Sequence, residues 1–183
     1  MSSVVGKMES KERGSVCTVM GLDLSLTSTG VVLLKSDGTS QSMTIKSKFR
    51  EEARLADLRE KIMVAVKLHR PGLVVLEGYA FGRPNAMAAL GELGGVIKCA
   101  LFEERQPFLI VPPTRLKKYA CGRGNTKKDE VRLAVFKRWS FEAKTNDEID
   151  AYVLARIGLA YLGYDDDLTK PQREVVEALG KVV

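Results

Sequence analysis

The run Leu73-Val-Val-Leu76 is the tightest constraint on how this chain can fold. Four apolar residues stand in a row between Pro71-Gly72 and Glu77-Gly78. The run is too short for a helix and does not alternate, so it reads as a strand buried on both faces, within a sheet covered by helices. The neighbouring segments agree. Residues 16–24 form another apolar run of strand character, interrupted near its end by Asp23. A polar turn over 25–30 leads to a strand over 31–35. Asp37-Gly38 is a hairpin signal, and 41–46 returns as a third strand. Residues 51–69 carry Leu55, Leu58, Ile62 and Val66 at helical spacing, and Pro71-Gly72 stops that helix. A helix of small residues follows over 86–102, then a strand over 108–111 that Pro112-Pro113 ends, then a short helix over 114–120. Thr126-Lys-Lys-Asp129 and Thr145-Asn-Asp-Glu148 read as capping boxes for two further helices, ending near Trp139 and Leu162.

Three strands, then a helix, a strand, a helix and a strand predict an α/β fold. Its sheet is five-stranded and mixed: a hairpin-linked antiparallel trio, then parallel strands joined by crossover helices. With 183 residues the chain can bury one good core without splitting in two. That core is expected over 15–162, with a flexible extension over 1–14. A tail over 163–183 carries an acidic run and one short helix. Cys17, Cys99 and Cys121 have no metal-ligand spacing and read as reduced thiols, with Cys17 and Cys99 in the core. The polar start lacks the apolar block of a signal peptide, and no run approaches membrane-spanning length. A cytoplasmic protein without membrane attachment is expected.

The net charge of +6 favours a polyanionic partner. Between Arg105 and Arg138 ten basic residues face only two acids, Asp129 and Glu130, a local excess of eight. A solvated basic helix face is the bland alternative.

Four carboxylates carry the chemistry. Asp23 sits between Leu22 and Leu24, Glu77 ends the apolar strand, and Asp147 and Asp150 open an otherwise apolar helix. An acid pushed toward a core is costly unless it is paired or binds a metal. If the first strand is central and the fourth lies beside it, Asp23 and Glu77 meet at adjacent strand ends. Asp147 and Asp150 share a helix face, so all four can converge. Converging like charges suit hard divalent cations, and two Mg²⁺ ions about 4 Å apart can stabilise both oxygens of a phosphodiester displacement. Each element has a structural alternative: acids at a helix start also favour the helix dipole, and Glu77 could face water. Asp23 is hardest to explain as structure alone.

The blocks Gly21-Leu-Asp23-Leu-Ser-Leu-Thr-Ser-Thr-Gly30, Val75-Leu-Glu77-Gly-Tyr79 and Asp147-Glu-Ile-Asp150-Ala-Tyr-Val-Leu-Ala155 resemble those of the RuvC-type Holliday-junction resolvases. The basic span 113–131 matches the family in character, and the resemblance covers roughly 16–162. It implies an RNase H-like fold and a homodimer, found in bacteria or bacteriophages, that acts in DNA recombination and repair. The implied activity is magnesium-dependent paired nicking of four-way DNA junctions, leaving 5′-phosphates. It implies two Mg²⁺ per site, with Mn²⁺ substituting, held by Asp23, Glu77, Asp147 and Asp150. Lys117 and Lys128 match basic positions that contact phosphates. Lys118, Arg123 and Lys127 extend that candidate DNA surface, and the glycines Gly122 and Gly124 could add backbone donors. Tyr79 or Phe81 would probe the junction centre, with Arg83 beside them. Two rivals stay open. One is a broader RNase H-like nuclease acting on flaps or forks. The other is an actin-like ATP-binding protein, for which 183 residues leave little room for a second domain.

Overall fold

The computed structural model describes residues 16–78, 84–165 and 167–183. Five strands form one sheet: β1 (Thr18–Asp23), β2 (Thr29–Lys35), β3 (Ser40–Ile45), β4 (Leu73–Glu77) and β5 (Phe108–Val111). Their order across the sheet is β3-β2-β1-β4-β5. The first three pair antiparallel, and β4 and β5 run parallel to β1, so the expected mixed sheet forms. The helices are α1 (Glu51–His69), α2 (Pro84–Glu103), α3 (Pro113–Cys121), α4 (Lys128–Trp139), α5 (Asn146–Tyr161) and α6 (Lys170–Glu177).

The period of two along each strand divides the core. Met20, Leu22, Val74 and Leu76 point to one face, where Leu58 and Ile62 of α1 and Leu93 and Ile97 of α2 cover them. Val19, Val75, Val32 and Leu34 point to the other, under α5 with α3, α4 and α6 outside it. Both faces of β4 are therefore buried, which is why its sequence does not alternate.

Helix α5 lies directly on β1 and β2, and two glycines make that possible. A Cβ on Gly21 would overlap the Ala151 carbonyl, and one on Gly30 would overlap that of Asp147. Only a residue without a side chain admits a helix backbone this close. On the outer side, Tyr119 stacks on Trp139 with ring centroids 6.2 Å apart, and Trp139 meets Tyr152 edge-on at 6.0 Å. These rings tie α3 and the end of α4 to α5. Helix α6 buries Val175 against this layer, and Val183 exchanges backbone hydrogen bonds with Phe108 of the edge strand β5.

Two local expectations need correction. Thr126 does not cap α4: its buried hydroxyl donates to the Arg123 carbonyl at 2.8 Å, and the N-cap moves on to Lys127. Cys99 is exposed, because α2 turns it away from the sheet-facing stripe of Leu93, Ile97 and Leu101. Substitution at the glycine contact gives a direct test of helix docking. Gly30→Val is expected to lower stability by about 3 kcal/mol, read from urea denaturation. A loss below about 0.5 kcal/mol would mean that α5 can withdraw from β2 at little cost.

Candidate active site

The same period of two that buries Val19 and Gly21 turns Asp23 toward α5. Asp23 and Glu77 each stand one residue beyond the Leu22–Leu76 pair of the parallel strands β1 and β4, so they are neighbours at the sheet end. Asp23 also lies opposite Gly30 of β2. Because the Asp147 carbonyl rests on Gly30, the first turn of α5 sits over this row. Thr145 opens α5 as its N-cap, accepting the Glu148 N–H at 3.2 Å, and that places Asp147 and Asp150 in the opening turns. The turn after Asp23 is held rigidly. The Thr29 hydroxyl, fully buried, donates to the Ser25 carbonyl at 2.9 Å and accepts from the Ser25 N–H at 3.1 Å.

Asp23 is only 8% exposed, and Glu77, Asp147 and Asp150 are half-buried. Burial, then the charges of Glu77 and Asp150, pushes the Asp23 carboxyl up to about 9; a hydrogen bond with Glu77 and the Asp147 charge add to this. Burial pushes Glu77 up to about 7, with the Asp150 charge adding; the Asp23 hydrogen bond and the charges of Lys128 and Lys117 oppose it. Burial raises Asp150 to about 6, helped by Asp147 and opposed by Lys128 and Lys117. Burial and the neighbouring acids thus act in the same direction, raising Asp23, Glu77 and Asp150 together. The four acids and two lysines are thus one electrostatic unit drawn from β1, β4, α3, α4 and α5.

Among the described residues, no three His, Cys, Asp or Glu side chains are gathered closely enough to hold a metal ion as they stand. The donor set nonetheless fits a hard divalent cation. All its atoms are carboxylate oxygens, it is sheltered from water, and its mutual repulsion is what a cation relieves.

The other candidate residues divide. Lys117, half-buried on α3, and Lys128, exposed at the start of α4, stand close enough to act on Glu77 and Asp150. Lys118 pairs instead with Glu174 of α6 at 2.7 Å, and Arg123 with Glu130. Lys127 is exposed at the N-cap of α4. Gly122 ends α3 with φ 80°, and its N–H is spent on the Lys118 carbonyl. Tyr79, Phe81 and Arg83 lie outside the described residues. One residue escaped the sequence reading: Glu148, buried among polar partners on β3. Its position in a capping box hid it, since that pattern assigns the side chain to its own helix.

The mixed sheet, with acids at the ends of its two adjacent central strands and a helix laid across them, has the RNase H-like fold. A family model described as crossover junction endodeoxyribonuclease RuvC matches residues 19–157. The chain belongs to that family, whose members are metal-dependent nucleases. The crossover junction endodeoxyribonuclease RuvC of Prochlorococcus marinus is 26% identical over 151 residues, covering 77% of this chain and 97% of that protein. The Thermus thermophilus RuvC structure superposes with a TM-score of 0.67 at 23% identity, over 80% of this chain and 97% of the other. T. thermophilus RuvC in complex with Holliday junction substrate gives 0.65 at 24% identity, over 76% and 90%. Among the described residues no helix is long and apolar enough to cross a membrane.

The raised acids make stability depend on pH with a definite sign. A carboxyl whose value is higher folded than unfolded binds more protons in the folded state, so its full contribution is present below pH 4. That contribution falls as pH rises, and is lost near pH 6 for Asp150, pH 7 for Glu77 and pH 9 for Asp23. Metal-free protein should therefore melt lower at pH 8.5 than at pH 6. Asp23→Asn should recover on the order of 2 kcal/mol at pH 8.5, about 4–8 °C in Tm. A lower Tm for that variant would contradict the strained-carboxylate account.

Proposed function

We propose that this chain cuts four-way DNA junctions by metal-dependent phosphodiester hydrolysis. The observation that carries the reading is the convergence of four acids beside two lysines at one end of the sheet, within a family match spanning residues 19–157. Asp23, Glu77, Asp147 and Asp150 would hold two Mg²⁺, for which Mn²⁺ could substitute. Cations held there would make water a stronger nucleophile toward the phosphorus and offset the charge on the leaving oxygen.

The protein's own groups do the rest. Asp23, the most buried of the four acids and the one that senses the other three, would be the central ligand. Lys117 and Lys128 approach the acids from the outer layer and would hold the phosphates flanking the cut. Arg123 and Lys127 extend this positive edge along the loop before α4, and Lys118 can join them if it leaves Glu174. Tyr79 or Phe81 would stack on an unpaired base, with Arg83 close to them in the sequence after Glu77.

The substrate's two-fold symmetry calls for two sites, and hence a homodimer making paired nicks. Val64 and Leu68 on α1 and Phe102 on α2 are large, apolar and more than half exposed, which supports a dimer surface on this side of the sheet. Residues 15–162 are taken as the nuclease unit, with 1–14 as an extension and 163–183 as a tail. The protein would work in the cytoplasm, in recombination and repair.

Cleavage assays decide the reading. Wild-type protein with Mg²⁺ should nick a four-way junction symmetrically, leaving 5′-phosphates, and chelator should stop it. Asp23→Asn should lose at least about 10³-fold in rate while still binding the junction. Linear duplex cut as readily as the junction would overturn the junction preference and leave a general nuclease. In the same assay, Lys128→Ala should weaken junction binding and reduce its salt slope by about one unit.

A further inference from the structure

Glu148 is the one charged residue of α5 that is almost fully buried, at 4% exposure, and the metal-binding reading does not use it. At the third position of a helix, a glutamate ordinarily reaches back to the N-cap N–H. Here the carboxylate crosses to the edge strand β3. The Thr44 hydroxyl donates to Oε1 at 2.6 Å, and the Ser42 hydroxyl and the Lys144 N–H donate to Oε2 at 3.0 and 3.3 Å. The Glu148 N–H meanwhile donates to the Thr145 hydroxyl. Helix, cap and strand are thus bound at one point.

That point lies on the row that carries the acids. Thr44 pairs with Gly30, and Gly30 pairs with Asp23. The Asp147 carbonyl rests on the same Gly30. Smooth glycine contacts let a helix approach but do not stop it turning about its axis. A turn of about 20° carries a side-chain group ~5–6 Å from the axis through roughly 2 Å. A functional constellation tolerates about 0.5 Å. Asp147 precedes Glu148 directly and Asp150 follows two residues later, so whatever fixes the rotation at Glu148 fixes both.

We infer that Glu148 is a positioning residue: clamped by Ser42 and Thr44, it sets the rotation of α5 and so the placement of Asp147 and Asp150 for metal binding. This rests on the proposed role of those two acids. It extends that role to an edge strand that contributes no ligand.

The test uses full-length protein and Mn²⁺ alone as probe, with binding followed by electron paramagnetic resonance in the absence of DNA. Glu148→Ala and the double variant Ser42→Ala/Thr44→Val should each weaken Mn²⁺ binding about 10–100-fold. Each should raise the Mn²⁺ needed for half-maximal junction cleavage by a similar factor. Junction affinity in chelator should stay within about twofold. Glu148→Gln, whose amide oxygen can accept from Ser42 and the Lys144 N–H while its NH2 donates to the Thr44 hydroxyl, should recover most of the loss.

Folded variants with a lowered Tm and unchanged Mn²⁺ affinity would reduce Glu148 to a structural role and overturn the inference. If Glu148→Ala does not fold, the strand variant decides the matter by the same two readings. Wild-type protein that binds Mn²⁺ yet leaves junctions intact would overturn the nuclease reading alone, and the Mn²⁺ affinities would still judge Glu148. Absence of Mn²⁺ uptake by wild type would overturn both.

Discussion

The close seating of α5 on β1 and β2 is the contact on which the rest of the molecule depends. Gly21 and Gly30 remove the side chains that would hold the helix away, and the Ala151 and Asp147 carbonyls occupy the space. Because side chains on a strand alternate, the face that carries Gly21 also carries Asp23, and the face that carries Val75 also carries Glu77. Docking the helix and assembling the acids are therefore one event. The apolar burial along α5, from Ile149 to Ala160, supplies the free energy that holds four carboxylates at one end of the interface.

Those carboxylates work against the fold that gathers them. Burial and mutual repulsion hold Asp23, Glu77 and Asp150 above their ordinary values, and two lysines only partly compensate. The strain is local, and the surrounding structure is built to bear it. The Ser25–Thr29 turn is locked immediately after Asp23. The Tyr119–Trp139–Tyr152 rings brace the outer helices, and Arg156 lies over Trp139 while pairing with Asp165 at 2.6 Å. A divalent cation held by the same oxygens would turn this repulsion into attraction and stabilise the fold.

The strands and most helix limits were legible because they depend on short-range pattern. Leu73-Val-Val-Leu76 reads as a doubly covered strand from its length and lack of alternation, and Asp23 stood out because it broke an apolar run. Where the reading failed, a side chain had a better partner than its sequence neighbours. Thr126 looked like a helix cap but bonds back into the preceding loop. Glu148 looked like half of a capping box but bonds a strand 104 and 106 positions away in the chain. Lys117 and Lys118 are adjacent and alike in sequence, yet one faces the acids and the other pairs with Glu174 on α6.

By itself, the sequence determined which residues are too costly to bury without a purpose, and in what order strands and helices follow. Both are properties of local composition and spacing, and the acids point to metal-dependent chemistry. Only the tertiary structure decided which acids meet, which lysines reach them and what holds α5 at its angle. Those outcomes turn on ångström-scale contacts between segments far apart in the chain, and no local pattern encodes a distance of that kind.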